Sequence, residues 1–332
     1  MPGDGFHLSP YRAAMAPAWD AVVAASDGGT VLHSRRFLDY HGTRFRDLSL
    51  VGTRPGEAAP SAVFPLAADL AEPDLAISHP GSSFGGIVGL SRDPFHHRQF
   101  LHAAATLLRD QGFRRLLVHH TPAPLLRQPD DGLLAPLIRL GRVVRLDLWS
   151  ILRLDPALPA RPYWQSETRR AQRKGLRAEP VQSPDDWALL HATIATRLGD
   201  KYHRAPVHSL AELIDLDRRL GPQSRGLLIR GPQAEVLAGL WFIDYGTGTL
   251  HNQYNGATPA GLTLGASSFG IAHTLDAALA EGFRQFSFGR STQDDGWSEN
   301  RDLLRFKSRF GAGLSSQFHI ELDLDHLIAA RE

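Results

Sequence analysis

"GASSFGIAHTLDAALAEGFRQFSFGRS" (residues 265–291) holds a long helix pattern, a stop at Gly282 and a short strand pattern. Just before it, "GTLHNQYNGA" (residues 248–257) reads as another strand. Strand, helix and strand in that order make a βαβ step, whose crossover is right-handed on general grounds. Further upstream, "VLAGLWFIDYG" and "RGLLIRG" are strands joined by the turn signal "GPQA", and "SLAELIDLDRRLGP" and "DWALLHATIATRLG" are helices. The order helix, helix, strand, strand, strand, helix, strand is a mixed α/β unit.

The first half follows a similar plan. "DLSLVG" reads as a strand with "SAVFPLAAD" as its hairpin partner. "DPFHHRQFLHAAATLLRDQGF" is an amphipathic helix ending near Gly112, and "RRLLVHH" and "RVVRLDLWSILRL" are strands. A Pro-rich turn and a strongly basic helix follow in "DPALPARPYWQSETRRAQRKGLRAEPV". The expected division is therefore residues 1–155 and 156–332. Short repeats and low-complexity segments are absent from the sequence.

Composition excludes several classes. The 332 residues are 42% hydrophobic and 21% charged, which is ordinary globular usage. Cys count is 0, so a disulfide scaffold, a Cys zinc site and an acyl-Cys intermediate are ruled out. The pairs His96-His97 and His119-His120 point apart, and no His-Glu-x-x-His pattern occurs, so no metal site is expected. Net charge is +1, so any anion site must be a local patch. The N-terminus lacks a basic start with an apolar run, and no apolar run reaches the ~18–20 residues of a membrane span. A soluble, cytoplasmic protein is expected; its oligomeric state is left open.

The chain continues as "FSFGRSTQDDGWSENRDLLRFKSRFGAG" (residues 286–313): a strand, an acidic loop and a helix closing at Gly311. On that helix Leu303, Leu304, Phe306 and Phe310 form an apolar stripe. Lys307 falls inside it. Its head either snorkels to water or stabilises an anion beside the stripe.

Several strings resemble the Fem-type aminoacyltransferases and their GNAT-like relatives. They are "HSRRFLDYHGTRFRDLSLVG", "ISHPGSSFGGIVG", "ETRRAQRKGL", and "FSFGRST" followed by "RFKSRFGA", an ordered set over most of the chain. The resemblance implies two tandem GNAT-like domains, each a mixed, largely antiparallel sheet flanked by helices, the second beginning with the basic helix. It implies transfer of an acyl or aminoacyl group onto an amine of a small molecule or peptide. Relatives serve in cell-wall bridge formation, exopolysaccharide-linked functions and specialised metabolism. The donor co-substrate would be aminoacyl-tRNA, acyl-CoA or an acyl-carrier thioester, with no tightly bound cofactor. One departure bears on the donor. The Gln/Arg-x-x-Gly-x-Gly/Ala loop of acyl-CoA users, whose N–H groups hold pyrophosphate at a helix N-terminus, is missing. Gly261 and Gly265 in "NGATPAGLTLGASSFG" do not match its spacing.

Acyl transfer to an amine needs a proton acceptor and stabilisation of the tetrahedral oxyanion, and no enzyme nucleophile if the amine attacks directly. Lys307, Arg290, Ser291 and Asp294 are the candidate catalytic residues. Arg290 and Ser291 leave a strand end, where α/β ligand sites form, and a capped surface loop is the alternative. Asp294, Asp295 and Glu299 are carboxylates of the loop, which are commonly just solvated, and Trp297 is its aromatic candidate for substrate contact. In "LHNQYN", His251, Gln253 and Asn255 are expected on one face and Asn252 and Tyr254 on the other, as a polar cleft wall or an edge strand. Tyr202 and His203, in an expected loop, and Ser82 and Phe84, in the "HPGSSFGG" turn, are further substrate-site candidates. Arg169, Arg170, Arg173 and Lys174 are candidates for donor phosphate or tRNA, or form a solvated face balanced mainly by Glu167. A catalytically silent binding protein on the same fold is the rival reading.

Overall fold

The structure is a computed structural model that describes residues 6–90, 93–128, 130–157 and 162–330; the side chains of Pro162, Lys201 and Tyr202 lie outside the description. The strands are β1 (His7–Pro10), β2 (Leu50–Thr53), β3 (Ala62–Phe64), β4 (Ala67–Ala68), β5 (Leu75–Ile77), β6 (Arg115–His119), β7 (Arg142–Arg153), β8 (Arg177–Pro180), β9 (Ser224–Arg230), β10 (Val236–Asp244), β11 (Thr249–Ala257), β12 (Gln285–Arg290) and β13 (Gly313–Asp323). The helices are α1 (Ala16–Ala25), α2 (Arg35–Leu38), α3 (Pro94–Asp110), α4 (Leu134–Leu140), α5 (Pro162–Arg173), α6 (Pro184–Tyr202), α7 (Leu210–Leu220), α8 (Pro259–Leu264), α9 (Ala266–Ala280), α10 (Arg301–Arg309) and α11 (Leu324–Ala329). The chain forms two compact units. One comprises Met1–Leu148, Thr292–Ser298 and Ser315–Glu332; the other comprises Trp149–Ser291 and Glu299–Leu314.

In the first unit β1, β2 and β3 form an antiparallel sheet. A second sheet runs β4-β5-β6-β13, with only β5 and β6 parallel. The expected single strand "SAVFPLAAD" is split at Pro65: β3 pairs with β2, and β4 pairs with β5. Proline has no N–H to give a ladder, so the strand changes partner there. α3 lays Phe100, Leu101, Ala104 and Leu108 into a core with Phe64, Leu116, Ile320 and Leu322. Asp93 caps its N-terminus by accepting from Phe95 N.

In the second unit the order is β7-β12-β11-β10-β9-β8, antiparallel except for β11 and β12. The expected βαβ step is therefore present as β11-α9-β12. α9 buries Phe269, Ile271 and Leu275 against Leu240, Phe242 and Phe286. α6 lies on β10 and β11 at the paired glycines Gly239 and Gly256. A Cβ at Gly256 would sit 2.8 Å from the Ile194 Cα, and one at Gly239 3.1 Å from the Leu190 Cα. Backbone cannot yield as a side chain can. Gly256→Val is therefore expected to destabilise the protein by about 3 kcal/mol, read by urea unfolding.

α6 is longer than the sequence pattern implies. It continues through Gly199 to Tyr202 and stops at His203, whose φ of 53° places it in the left-handed region. Lys201 and Tyr202 thus belong to the last helical turn and not to a loop.

The pairing of β10 with β11 carries a bulge. Trp241 faces Tyr254 and Phe242 faces Asn252, which leaves Gln253 as the extra residue. The insertion shifts the alternation by one. Asn255 then shares the Leu240 and Phe242 side, and Tyr254 shares the Trp241 and Ile243 side with His251. The simple alternation expected for "LHNQYN" is corrected at those two positions.

Candidate active site

β11 and β12 run parallel, yet they pair only from Thr249–Gln285 to His251–Ser287. Beyond that point the two strands part: β11 stays on β10 past its bulge, and β12 runs through Gly289 to Arg290, opposite Trp149 of β7. An opening at the carboxyl ends of parallel strands is where α/β sheets place ligands. α10 returns Lys307 to this strand end. Asn300 starts the helix by accepting from Leu303 N, and its own N–H donates to Ser291 O at 2.8 Å.

Lys307 is the most buried side chain of α10, at 5% exposure. Its Nζ donates to Gly289 O at 3.0 Å and Arg290 O at 2.6 Å, and lies 2.8 Å from Ser291 Oγ. Ser291 Oγ is 2.8 Å from Ser150 Oγ on β7, and both serines are buried. The lysine does not snorkel. Burial, and then the Arg290 charge, push its pKa down to about 7. Either protonation state is satisfied here. The ammonium has three N–H groups for three acceptors. The neutral amine gives two to the carbonyls and accepts from the Ser291 hydroxyl.

His251 lies under the same strand end. It is buried, stacks on Tyr245 at 5.0 Å and meets Ser287 Oγ through Nδ1 at 3.1 Å. Burial, and next the Lys307 charge, push it down to about 3, so its ring is neutral at pH 7. Arg290 itself is exposed. The strand end therefore has a buried, hydrogen-bonded floor and one guanidinium at its surface.

The structure brings together Lys307, Arg290, Ser291 and His251 from the expected set. Asn252 donates to Tyr254 O at 2.8 Å, while Tyr254 OH meets His208 Nδ1 at 2.8 Å and stacks on Trp241. Asp294 and Trp297 belong to the first unit, both exposed, and Arg145 Nη1 donates to Asp294 O at 3.0 Å. Asp295 accepts from Trp297 N and Ser298 N at 2.9 Å each, a loop-stabilising turn. Ser82 Oγ donates to Phe84 O at 2.8 Å, and Phe84 is buried against His33. His203 is exposed, and the Tyr202 side chain lies outside the described residues.

On α5, Arg170 pairs with the buried Glu167 at 3.1 Å and Lys174 Nζ donates to Leu264 O at 3.0 Å. Arg169 and Arg173 stand exposed. Arg309 of α10 lies over the Tyr163 ring of α5 at 5.8 Å. Arg309 thereby adjoins the first turn of the basic helix, and Arg301 and Arg305 are exposed on the same side of α10. Sequence reading missed this second row because it looked at the apolar stripe of α10. The spacing of four between those arginines was its available signal.

The place before α9 is filled by protein. α8 occupies it, with Thr258 accepting from Gly261 N at 3.0 Å. A Cβ at Gly261 would meet Leu237 O at 2.0 Å, so this glycine serves close packing of α8 on β10. At Gly265 the nearest atom to a Cβ is Glu167 Oε2, at 3.5 Å. A carboxylate thus faces the N-terminus of α9. Among the described residues no group of three His, Asp or Glu is placed to hold a metal. No described helix is long and apolar enough to cross a membrane.

Residues 165–306 match the model of the acetyltransferase (GNAT) domain family. FemX aligns over 96% of this chain and 97% of its own at a TM-score of 0.70 and 11% identity. L-PGS from Bacillus licheniformis aligns over 92% and 90% at 0.58 and 12% identity. A tandem GNAT protein from the clavulanic acid biosynthesis pathway aligns over 96% and 98% at 0.54 and 12% identity. No curated protein matches the sequence. The likeness is one of fold, and the expected mixed α/β, tandem GNAT architecture is the observed one.

Proposed function

We propose that this Fem-like, GNAT-fold chain is an acyltransferase that moves an amino acid from an aminoacyl-tRNA ester onto an amine by direct attack. The observation that carries the reading is the Lys307 amino group, buried on Gly289 O, Arg290 O and Ser291 Oγ where β12 leaves β11. Burying an amine is costly, and such perturbed groups cluster at functional sites. Lys307 fixes the strand end, and the exposed Arg290 guanidinium meets the developing oxyanion or a donor phosphate. Lys307 is in this account a positioning residue.

Two features favour tRNA over acyl-CoA. α8 fills the place before α9 where a pyrophosphate loop would stand, and Glu167, itself paired with Arg170, faces Gly265 there. The exposed arginines of α5 and α10 offer phosphate contacts that a nucleic acid backbone fills. The likeness in fold to FemX and to L-PGS is compatible with this reading. Single-turnover incubation with a panel of charged tRNAs and amine acceptors, read by mass spectrometry, tests it. The expected result is RNase-sensitive amide formation. RNase-insensitive consumption of acyl-CoA would replace the donor with a thioester.

A further inference from the structure

The first unit contains a cavity of about 480 Å³, within the range of small-molecule sites. Its walls come from α1 and its C-cap (Val22, Ser26), the His33 turn, the segment Gly85–Leu90, the residues just after β6 and the loop that holds Leu126 and Leu133. The lining mixes apolar side chains such as Val22, Ile87 and Leu133 with as many polar ones. Ser61 Oγ is buried with no hydrogen-bond partner among the described residues. His33 accepts the Thr30 N–H through Nδ1 at 3.2 Å, so its proton sits on Nε2 as a donor. Burial pushes His33 and His120 down to about 4, and both are neutral at pH 7. Asp130 lines the cavity and accepts from Gly132 N through Oδ1 at 2.8 Å. Asp27 is a second acidic lining residue, and no Arg or Lys occurs among the described lining residues.

We propose that this cavity binds a compact molecule carrying a primary amine on an apolar body and bearing no phosphate. The walls take the body, the Asp130 carboxylate takes the ammonium, and Ser61 with His33 Nε2–H takes a further polar group. A phosphate or carboxylate would face Asp27, Asp130 and the neutral His33 and His120, with no Arg or Lys among the described lining residues, at an unreturned desolvation cost. This inference does not depend on the acyl-transfer reading.

Calorimetric titration of the full chain tests it with tyramine, phenethylamine and cadaverine. The comparison ligands are 4-hydroxyphenylacetate, phenylacetate, glutarate and AMP. At least one amine is expected to bind saturably, about tenfold or more tighter than its carboxylate counterpart. Ser61→Phe, which fills the cavity, should abolish binding. Asp130→Asn, a near-isosteric change that serves even if the larger variant fails to fold, should erase the preference for amines. Preference for the carboxylates or AMP would overturn the proposal. So would amine binding indifferent to both variants, or no binding by any of the seven.

Discussion

Replacing Lys307 by methionine is expected to lower acyl transfer about a hundredfold, the usual cost of misplacing a reacting group by an ångström. Methionine fills the same slot without an amine. The carbonyls of Gly289 and Arg290 then lose their shared donor, and the peptide that aims Arg290 is released. The loss should fall mainly on kcat, because Lys307 has little surface with which to bind substrate directly. Lys307→Arg should not rescue, since a planar fork does not reproduce three contacts from one nitrogen. Full activity of Lys307→Met in single-turnover transfer would remove the residue from the mechanism.

The same pair of proteins has a pH signature. The Lys307 pKa is lowered from 10.5 to about 7 in the folded chain. Between those values the unfolded chain binds the extra proton, so stability rises with pH. Relative to Lys307→Met, the parent protein is expected to gain about 2–3 kcal/mol between pH 7 and pH 9, at roughly 1.4 kcal/mol per unit. Below pH 7 both states are charged and the difference levels off. Denaturant titrations across that range give the slope directly, and a flat difference would place the ammonium in a solvated environment.

Much of the second unit was legible in its sequence because periodicity reports local geometry. The long helix α9, the glycine stop at Gly282 and the strand "FSFGRS" all appear where the pattern puts them. Lys307 could be singled out because a charge inside an apolar stripe conflicts with burial. What it touches could not be read, since α10 meets Gly289, Arg290 and Ser291 only once the chain folds back on the end of β12. The faces of β11 were misread for a related reason: the bulge at Gln253 is a property of the ladder with β10, and alternation in one strand does not reveal it. The role of Glu167 was also hidden. On a helix it looks like a counterion for arginines, and only the approach of α9 shows the carboxylate facing Gly265.

Asp147 had no sequence signal beyond being an acid within a strand pattern, yet its removal is expected to have the largest effect on stability. It is 1% exposed in the first unit. Arg145 grips it through Nε at 2.9 Å and Nη2 at 3.0 Å, His319 Nε2 lies 3.1 Å away, and Thr292 Oγ1 donates to it. Asp147→Ala leaves these groups facing a buried vacancy, a change that costs about 3–5 kcal/mol when one partner of a buried pair is lost. For a unit of this size that corresponds to a fall in Tm of about 10 °C. Asp147→Asn keeps the shape and some of the hydrogen bonds, and should cost less than half as much. The functional consequence follows from the covalent chain. Thr292 is the next residue after Ser291, so freeing its hydroxyl loosens the peptide that carries the Ser291 contact to Lys307. Activity should therefore fall in Asp147→Ala at temperatures well below its melting transition. If activity persists there while Tm drops, the Asp147 cluster is a stability device alone, and the strand end of β12 is held by Lys307, Ser150 and Asn300 without it.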